Sequence, residues 1–247
     1  MDRDIRTVED VLKLMDRLFT PDADRWTTDG SDWWDRFYAD RDKPVPFFAA
    51  KPDENLVSYV DRGLITPGRA LDLGCGPGRN AHFLASAGFT VDAVDLSPAA
   101  IAWAKERDPG SKVRFHCGDA FETDLPGPYD LVYDSGCFHH LPPHRRVSYL
   151  ALLDRVLAPG GRLAMVCFAP EGGSQLPDAD FYRRSGLEGG LAYTPESLRR
   201  IFSDFTEVEL RRMRDEAPDS PRFGEPFLWT ALFQAPEKSF GGGVTSG

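Results

Sequence analysis

With 247 residues, 41% of them hydrophobic, the chain carries enough apolar material for one substantial core, and its length allows one or two domains. A formal net charge of −10 leaves no basic surplus to displace counterions from a phosphate backbone, which argues against nucleic acid as a partner. No apolar run approaches the ~18 residues of a membrane span, and the start Met1-Asp2-Arg3-Asp4 lacks the apolar segment of a signal peptide, so a cytoplasmic protein that handles small molecules, with no membrane partner, is expected.

Thr7 is placed to cap a helix with Glu9 and Asp10 in its first turn, and Val8, Val11, Leu12, Met15, Leu18 and Phe19 recur at helical spacing until Pro21. Residues 21–32 read as loop. An aromatic arm follows, with Trp33, Trp34, Phe37, Tyr38, Phe47 and Phe48 interleaved with charges and broken by Pro44 and Pro46. Such aromatics either dock on a core or line a pocket; the position of the arm favours a lid, with Trp34, Phe37, Tyr38 and Phe47 as candidate substrate contacts.

A helix from residue 53 leads into a first strand over 69–73, which runs into the turn Gly74-Cys75-Gly76-Pro77-Gly78 and a helix that stops at Gly88. Three alternating glycines let a ligand approach the backbone, and the helix behind them offers unpaired N–H groups, so a nucleoside-type ligand is expected. Asp72 lies inside the strand, two residues before the first glycine, where a carboxylate is suited to a cationic part of that ligand. The second strand, 90–94, ends in Asp95-Leu96-Ser97-Pro98. Asp95 comes 21 residues after Gly74, close to the ~20 expected of an acid that grips ribose hydroxyls. Ser97 and Pro98 open the next helix.

A third strand, 112–116, ends in Cys117-Gly118-Asp119-Ala120, where Asp119 is either another ligand acid or a turn residue. Strand four, 129–134, ends in Asp134-Ser135 and is followed by His139-His140. An imidazole suits general-base chemistry, while a packed ring and a helix-entry residue are the alternative for the pair; no carboxylate or thiol stands at a spacing that would make a metal site with His144, so none is expected. A helix over 144–157 should stop at Pro159-Gly160-Gly161, before strand five at 162–168. Residues 169–193 form a long connection of the kind that serves as a lid, a helix begins at Thr194-Pro195-Glu196, and strands near 206–214 and 227–235 should pair antiparallel. The boundaries are thus a cap segment at 1–53, a ligand-binding domain at 54–237 and a disordered tail at 238–247. Cysteines at 75, 117, 137 and 167 form no Cys-x-x-Cys pair and read as buried thiols.

The order of elements and the residues at four strand tips resemble the class I S-adenosylmethionine-dependent methyltransferases. The resemblance implies an α/β, Rossmann-like, doubly wound and mostly parallel seven-stranded sheet with an antiparallel C-terminal strand. It further implies that Asp72 and the turn of Gly74, Cys75, Gly76 and Gly78, with Asn80, hold the methionine part of the cofactor, that Asp95 takes the ribose hydroxyls with Leu96 against the adenine, that Asp119 and Ala120 meet the adenine, and that Asp134 and Ser135 line the sulfonium side. The Cys-Gly-x-Gly-Arg-Asn continuation and the Trp-rich arm are similar to the small-molecule subset, which includes tellurite and thiopurine methyltransferases. Arg79 joins the candidate substrate contacts, and a dry aromatic enclosure favours a thiol or other soft nucleophile as acceptor, because charge is lost when thiolate meets sulfonium, with an oxygen or nitrogen of a small metabolite as the alternative. His139 or His140 would be the base where a proton must leave. A nicotinamide-dependent oxidoreductase shares the glycine turn and the ribose acid but would need a Tyr-x-x-x-Lys pair that the sequence lacks, and a non-catalytic nucleoside-binding module is the third reading. Strand four ends in Asp-Ser-Gly-Cys-Phe, unlike the Asn/Asp-Pro-Pro-aromatic motif of base methylases. A monomer or homodimer is expected.

Overall fold

The structure, a computed structural model, describes residues 5–110 and 112–237, so the expected tail at 238–247 lies outside the described residues. Among these residues seven apolar runs form strands: β1 (Arg69–Leu73), β2 (Thr90–Asp95), β3 (Val113–Cys117), β4 (Tyr129–Ser135), β5 (Leu157–Phe168), β6 (Thr206–Arg212) and β7 (Leu228–Gln234). They make one sheet in the order β3-β2-β1-β4-β5-β7-β6, with β7 antiparallel to both of its neighbours and every other pairing parallel. The chain winds outward from β1 to β3 and then returns to place β4 on the other side of β1. That reversal opens a crevice beyond the carboxyl ends of β1 and β4, where ligands of such sheets bind.

Alternation along the strands feeds two cores, one on each face. Leu71, Leu73, Val132, Met165 and Phe233 bury into a cluster closed by Tyr149, Leu152 and Leu153 of α6 (Arg146–Val156) and by Phe202, which follows α7 (Pro195–Ile201). Ala70, Val91, Leu131 and Tyr133 bury into the other, against Leu56 and Tyr59 of α3 (Glu54–Asp61) and Leu84 of α4 (Arg79–Ser86). Each large side chain so enclosed contributes about 2 kcal/mol of transfer free energy.

Several boundaries differ from expectation. The first helix, α1 (Val8–Asp16), has the capping box of Thr7 and Asp10, but it ends before Leu18 because the chain turns there, which leaves Leu18 exposed and carries Phe19 into the core. Part of the aromatic arm is a helix, α2 (Ser31–Ala39), on which Trp34, Phe37 and Tyr38 recur at the three- and four-residue spacing of one face. Pro159-Gly160-Gly161 lies inside β5 and does not separate it from α6: Gly160 adopts a φ of 72°, and the Gly161 carbonyl accepts from the Ala235 N–H, so pairing with the chain beyond β7 starts early. Of the four thiols, all free, Cys75 and Cys167 are buried, Cys137 is half-buried and Cys117 is exposed, because β3 is an edge strand. Among the described residues no helix is long and apolar enough to cross a membrane.

The arm is fastened to the sheet domain through α5 (Pro98–Glu106). Asp35 of α2 accepts from the Ser97 hydroxyl at 2.5 Å and from the Ala99 N–H at 3.0 Å, which sets a carboxylate at the positive end of α5. Phe48 meets Trp103 edge-on at 5.1 Å and stacks on Tyr38. Asp35→Ala removes this acceptor and should lower stability by about 1–2 kcal/mol, whereas Asp35→Asn should lose less. Urea unfolding of the two variants measures the difference, and equal stability of Asp35→Ala and the parent would assign the docking to the aromatics alone.

Candidate active site

The turn after β1 owes its shape to left-handed glycines. Gly74 has a φ of 68°, and a Cβ on it would stand 2.7 Å from the Cβ of Cys137, so the loop after β4 reaches the turn only because that atom is missing. The Gly74 and Cys75 N–H groups donate to the Val94 carbonyl at 2.9 and 3.0 Å. Asp95, at the tip of β2, accepts from the Gly76 N–H at 2.8 Å and the Ser97 N–H at 2.9 Å, tying the two strand tips together; burial pushes its carboxyl up to about 6 against the pull of those two donors. Gly78 is the N-cap of α4, with a φ of 78°, and stands behind the turn and outside the cavity wall.

Asp72 is 1% exposed, and its Oδ2 has no hydrogen-bond partner among the described residues. Burial pushes its carboxyl up to about 8, opposed by the Arg79 guanidinium and reinforced by Asp53. Arg79 is not free for a ligand: it is paired with the fully buried Asp53, donates to the Lys51 carbonyl and the Ser135 hydroxyl, each at 3.0 Å, and lies 4.5 Å over the ring of Phe223. Asp53 also accepts from Asn80 Nδ2 at 2.9 Å and from the Tyr133 hydroxyl at 2.6 Å. Sequence reasoning missed Asp53, since an acid just before a helix reads as a cap; here it makes no cap bond.

Asp134 corrects an expectation. It is fully buried and absent from the cavity wall, because its carboxylate turns inward to accept from the N–H groups of Gly136, Cys137 and Phe138 and from the Tyr149 hydroxyl. Burial pushes it up to about 7, and the four donors pull it down. It shapes the loop that carries Ser135, His139 and His140 to the wall. His139 stacks on Phe168 with ring centroids 3.7 Å apart, its Nδ1 is buried without a partner, and burial pushes its pKa well below 6.5. His140 meets the edge of Trp34 at 5.1 Å; burial, then the nearby Arg25 charge, lower it to about 4. Both rings are therefore neutral at pH 7.

These elements enclose one cavity of about 470 Å³. Asp72, Gly74, Cys75, Gly76, Asp95, Leu96, Asp119, Ala120 and Ser135 line it from the strand tips; Trp34, Phe37, Tyr38 and Phe47 line it from the arm, and Arg79 and Asn80 from α4. Asp119 accepts from the Phe121 N–H at 2.8 Å and is pushed up to about 6 by burial. The second lid is not where the sequence put it. Of residues 169–193 only Gly172 reaches the wall, since Phe181, Leu187, Leu191 and Tyr193 are drawn into the core and the Leu191 N–H donates to the His139 carbonyl. The opposite wall is the segment before β7, with Phe223, Glu225 and Phe227, anchored by the Phe223 N–H on the Pro52 carbonyl. Its aromatics were visible in the sequence, but their placement depends on the β6–β7 connection.

Residues 70–161 match the methyltransferase domain family. The chain is 30% identical over 169 residues to the 2-heptyl-1-hydroxyquinolin-4(1H)-one methyltransferase of Mycobacteroides abscessus, covering 66% of this chain and 69% of that protein. The chain belongs to the class I S-adenosylmethionine-dependent methyltransferases. It is also 36% identical over 117 residues to the trans-aconitate 2-methyltransferase of Methylobacterium nodulans, 47% of this chain and 43% of that one, and it spans about half the length of the first curated relatives it matches. Among solved structures, one described for the conversion of a disulfide bond into a thioacetal group during echinomycin biosynthesis superimposes with a TM-score of 0.66 at 25% identity, over 85% of this chain and 93% of that one. The N-methyltransferase NodS of Bradyrhizobium japonicum, solved with S-adenosyl-L-homocysteine, shares the fold with a TM-score of 0.61 at 20% identity, over 84% and 98% of the two chains.

For this methyltransferase the unpartnered Asp72 oxygen at the cavity wall fits an ammonium, and the raised Asp95 carboxyl fits a pair of hydroxyl donors. The loop that brings Ser135 and the histidines to the cavity rests on Asp134. Asp134→Ala leaves three backbone N–H groups and the Tyr149 hydroxyl without their acceptor and should cost about 3 kcal/mol in urea unfolding; Asp134→Asn keeps one oxygen and should cost distinctly less.

Proposed function

We propose that the chain transfers the methyl group of S-adenosylmethionine to a small-molecule acceptor held between the arm and the segment before β7. The observation that carries this reading is the division of the cavity. Carboxylates at the tips of β1 and β2 and just beyond β3, the buried Asp72 and Asp95 and the half-buried Asp119, face one half, while the aromatic rings of Trp34, Phe37, Phe47, Phe168, Phe223 and Phe227 wall the other. Asp72, with Gly74, Cys75, Gly76 and Asn80 around it, holds the ammonium end of the cofactor, Asp95 accepts from the ribose hydroxyls, Leu96 and Ala120 pack against the adenine, and Asp119 accepts from its amino group. Ser135 faces the sulfonium side. The cofactor supplies an activated methyl on sulfur, so the protein's task is to align a nucleophile and exclude water.

The aromatic half does that exclusion. Low dielectric around an anionic or soft nucleophile favours transfer to a sulfonium, because charge is lost as the bond forms. A thiol or other soft nucleophile fits this half, in keeping with the sulfur chemistry of the echinomycin relative, and an oxygen or nitrogen acceptor is the alternative, in keeping with the hydroxyquinolinone and trans-aconitate relatives. Neutral His139 and His140 accept a hydrogen bond from the acceptor, and their lowered basicity makes them weak proton acceptors. Residues 1–53 then act as the substrate-enclosing cap and 54–237 as the cofactor domain.

Calorimetry tests the cofactor half. S-adenosyl-L-homocysteine should bind in the micromolar range or tighter, about −8 kcal/mol, and a nicotinamide dinucleotide should not bind. Because Asp72 has a pKa of about 8, it is largely protonated at pH 7 and must ionise to pair with an ammonium. Binding should therefore release a proton at pH 7, read as a dependence of the enthalpy on buffer, and should tighten as pH rises from 6 to 8. Asp72→Asn should remove most of the proton release at pH 7 and most of the tightening between pH 7 and 8, where Asp95 and Asp119 at about 6 are already largely ionised, and persistence of both would place the ammonium elsewhere. Asp95→Ala should weaken the same ligand by about 1.5–3 kcal/mol, and unchanged affinity in a folded variant would make that acid purely structural.

A further inference from the structure

Few charged side chains share the wall with the aromatic rings, so those that do decide what the cavity admits. Two guanidiniums stand in the wall, and that of Arg79 is committed to Asp53. Arg25 is different. Its Nη1 donates only to the backbone carbonyls of Asp22 and Asp24, at 2.6 and 2.8 Å, its plane lies 3.7 Å over the ring of Trp33, and among the described residues no carboxylate oxygen pairs with it within 4.0 Å. The Trp34 Nε1–H donates to the Arg25 carbonyl at 2.9 Å, and the same indole touches His140, so cation, indole and imidazole form one continuous stretch of wall.

That stretch is poorly built to remove a proton. A ring lowered to about 4, as His140 is, leaves an alcohol or an alkylammonium, whose pKa is about 10, almost untouched. An acceptor that arrives already ionised has no such need, and its charge would be met by Arg25, which has no carboxylate within ion-pair distance among the described residues and feels Asp24 and Asp22 only from farther off. We propose that Arg25 recognises the acceptor, and that the acceptor is a small, largely apolar compound bearing an ionised acidic group, with its apolar body against Trp34, Phe37 and Phe47 and its charge on the Arg25 guanidinium. This rests on the methyltransferase reading of the cavity. The apolar body follows from the ring-lined wall, and the anionic group from a charge-assisted, fork-shaped donor on a half-buried guanidinium. Glu225 reaches the wall on the segment with Phe223 and Phe227 and repels an anion there, which leaves the Arg25 side for the charge.

Three naphthyl probes of nearly one shape and different charge test the proposal: 2-naphthoate, 2-naphthalenemethanol and 2-naphthylmethylammonium, titrated against tryptophan fluorescence with saturating S-adenosyl-L-homocysteine present. The parent protein should bind the carboxylate about tenfold tighter than the alcohol, with the ammonium weakest. Arg25→Met should erase the preference for the carboxylate while leaving the alcohol and S-adenosyl-L-homocysteine within about twofold, and Arg25→Lys should restore part of it. Equal binding of carboxylate and alcohol by the parent, tightest binding of the ammonium, or no binding of any probe overturns the proposal, as does an equal loss of all three probes in Arg25→Met, which would make Arg25 a packing residue of the arm. Failure of the parent to bind S-adenosyl-L-homocysteine is a separate result that removes the cofactor reading instead.

Discussion

The backbone of Gly74 passes the loop after β4 so closely that a single added carbon would stand 2.7 Å from Cys137, and the rest of the site hangs on that approach. It brings the tip of β1, with Asp72, against the loop that carries Ser135, His139 and His140. A side chain at residue 74 would wedge the two apart and open the crevice to water. The contact is held from both directions. Asp95 binds the Gly76 N–H and so fixes the turn from the β2 side, while Asp134 gathers three N–H groups of the β4 loop and fixes it from beneath.

The buried carboxylates divide the labour according to how well each is satisfied. Asp134 has four donors and no access to the cavity, so it acts on the fold. Asp95 has two donors and faces the cavity, which leaves acceptor capacity for a ligand. Asp72 keeps one oxygen without a partner and is pushed furthest from its ordinary value. A buried, under-satisfied carboxylate is costly to stability, and such a group persists where a ligand completes it. The gradient from Asp134 to Asp72 therefore runs from structure to binding.

The aromatic arm follows a different logic. Asp35 secures it at the N-terminus of α5, and ring contacts among Trp34, Phe37, Tyr38, Phe48 and Trp103 spread the attachment over a wide area. Tyr38 reaches far enough that its hydroxyl would stand 3.0 Å from a Cβ at Gly76, so the arm closes directly over the glycine turn. The glycine turn and the arm thus face one cavity, and Arg25 and His140 stand in its wall.

The sequence by itself determined the alternating strands, the glycine turn, the acids at the strand tips and the spacing of Asp95 from Gly74, because these depend on local periodicity and on residue types that few other conformations tolerate. Tertiary structure alone decided the directions of the carboxylates. In the register of β1 and β4, Asp72 pairs with Tyr133 and Asp134 with Leu73, so the two acids project to opposite faces; one meets the cavity and the other a set of loop N–H groups. It also decided that Arg79 would be spent on Asp53, a residue 26 positions earlier, and that the segment before β7, not the one after β5, would close the chamber. Such long-range pairings arise from the sheet's winding order, which brings distant segments to one edge and has no signature in local spacing.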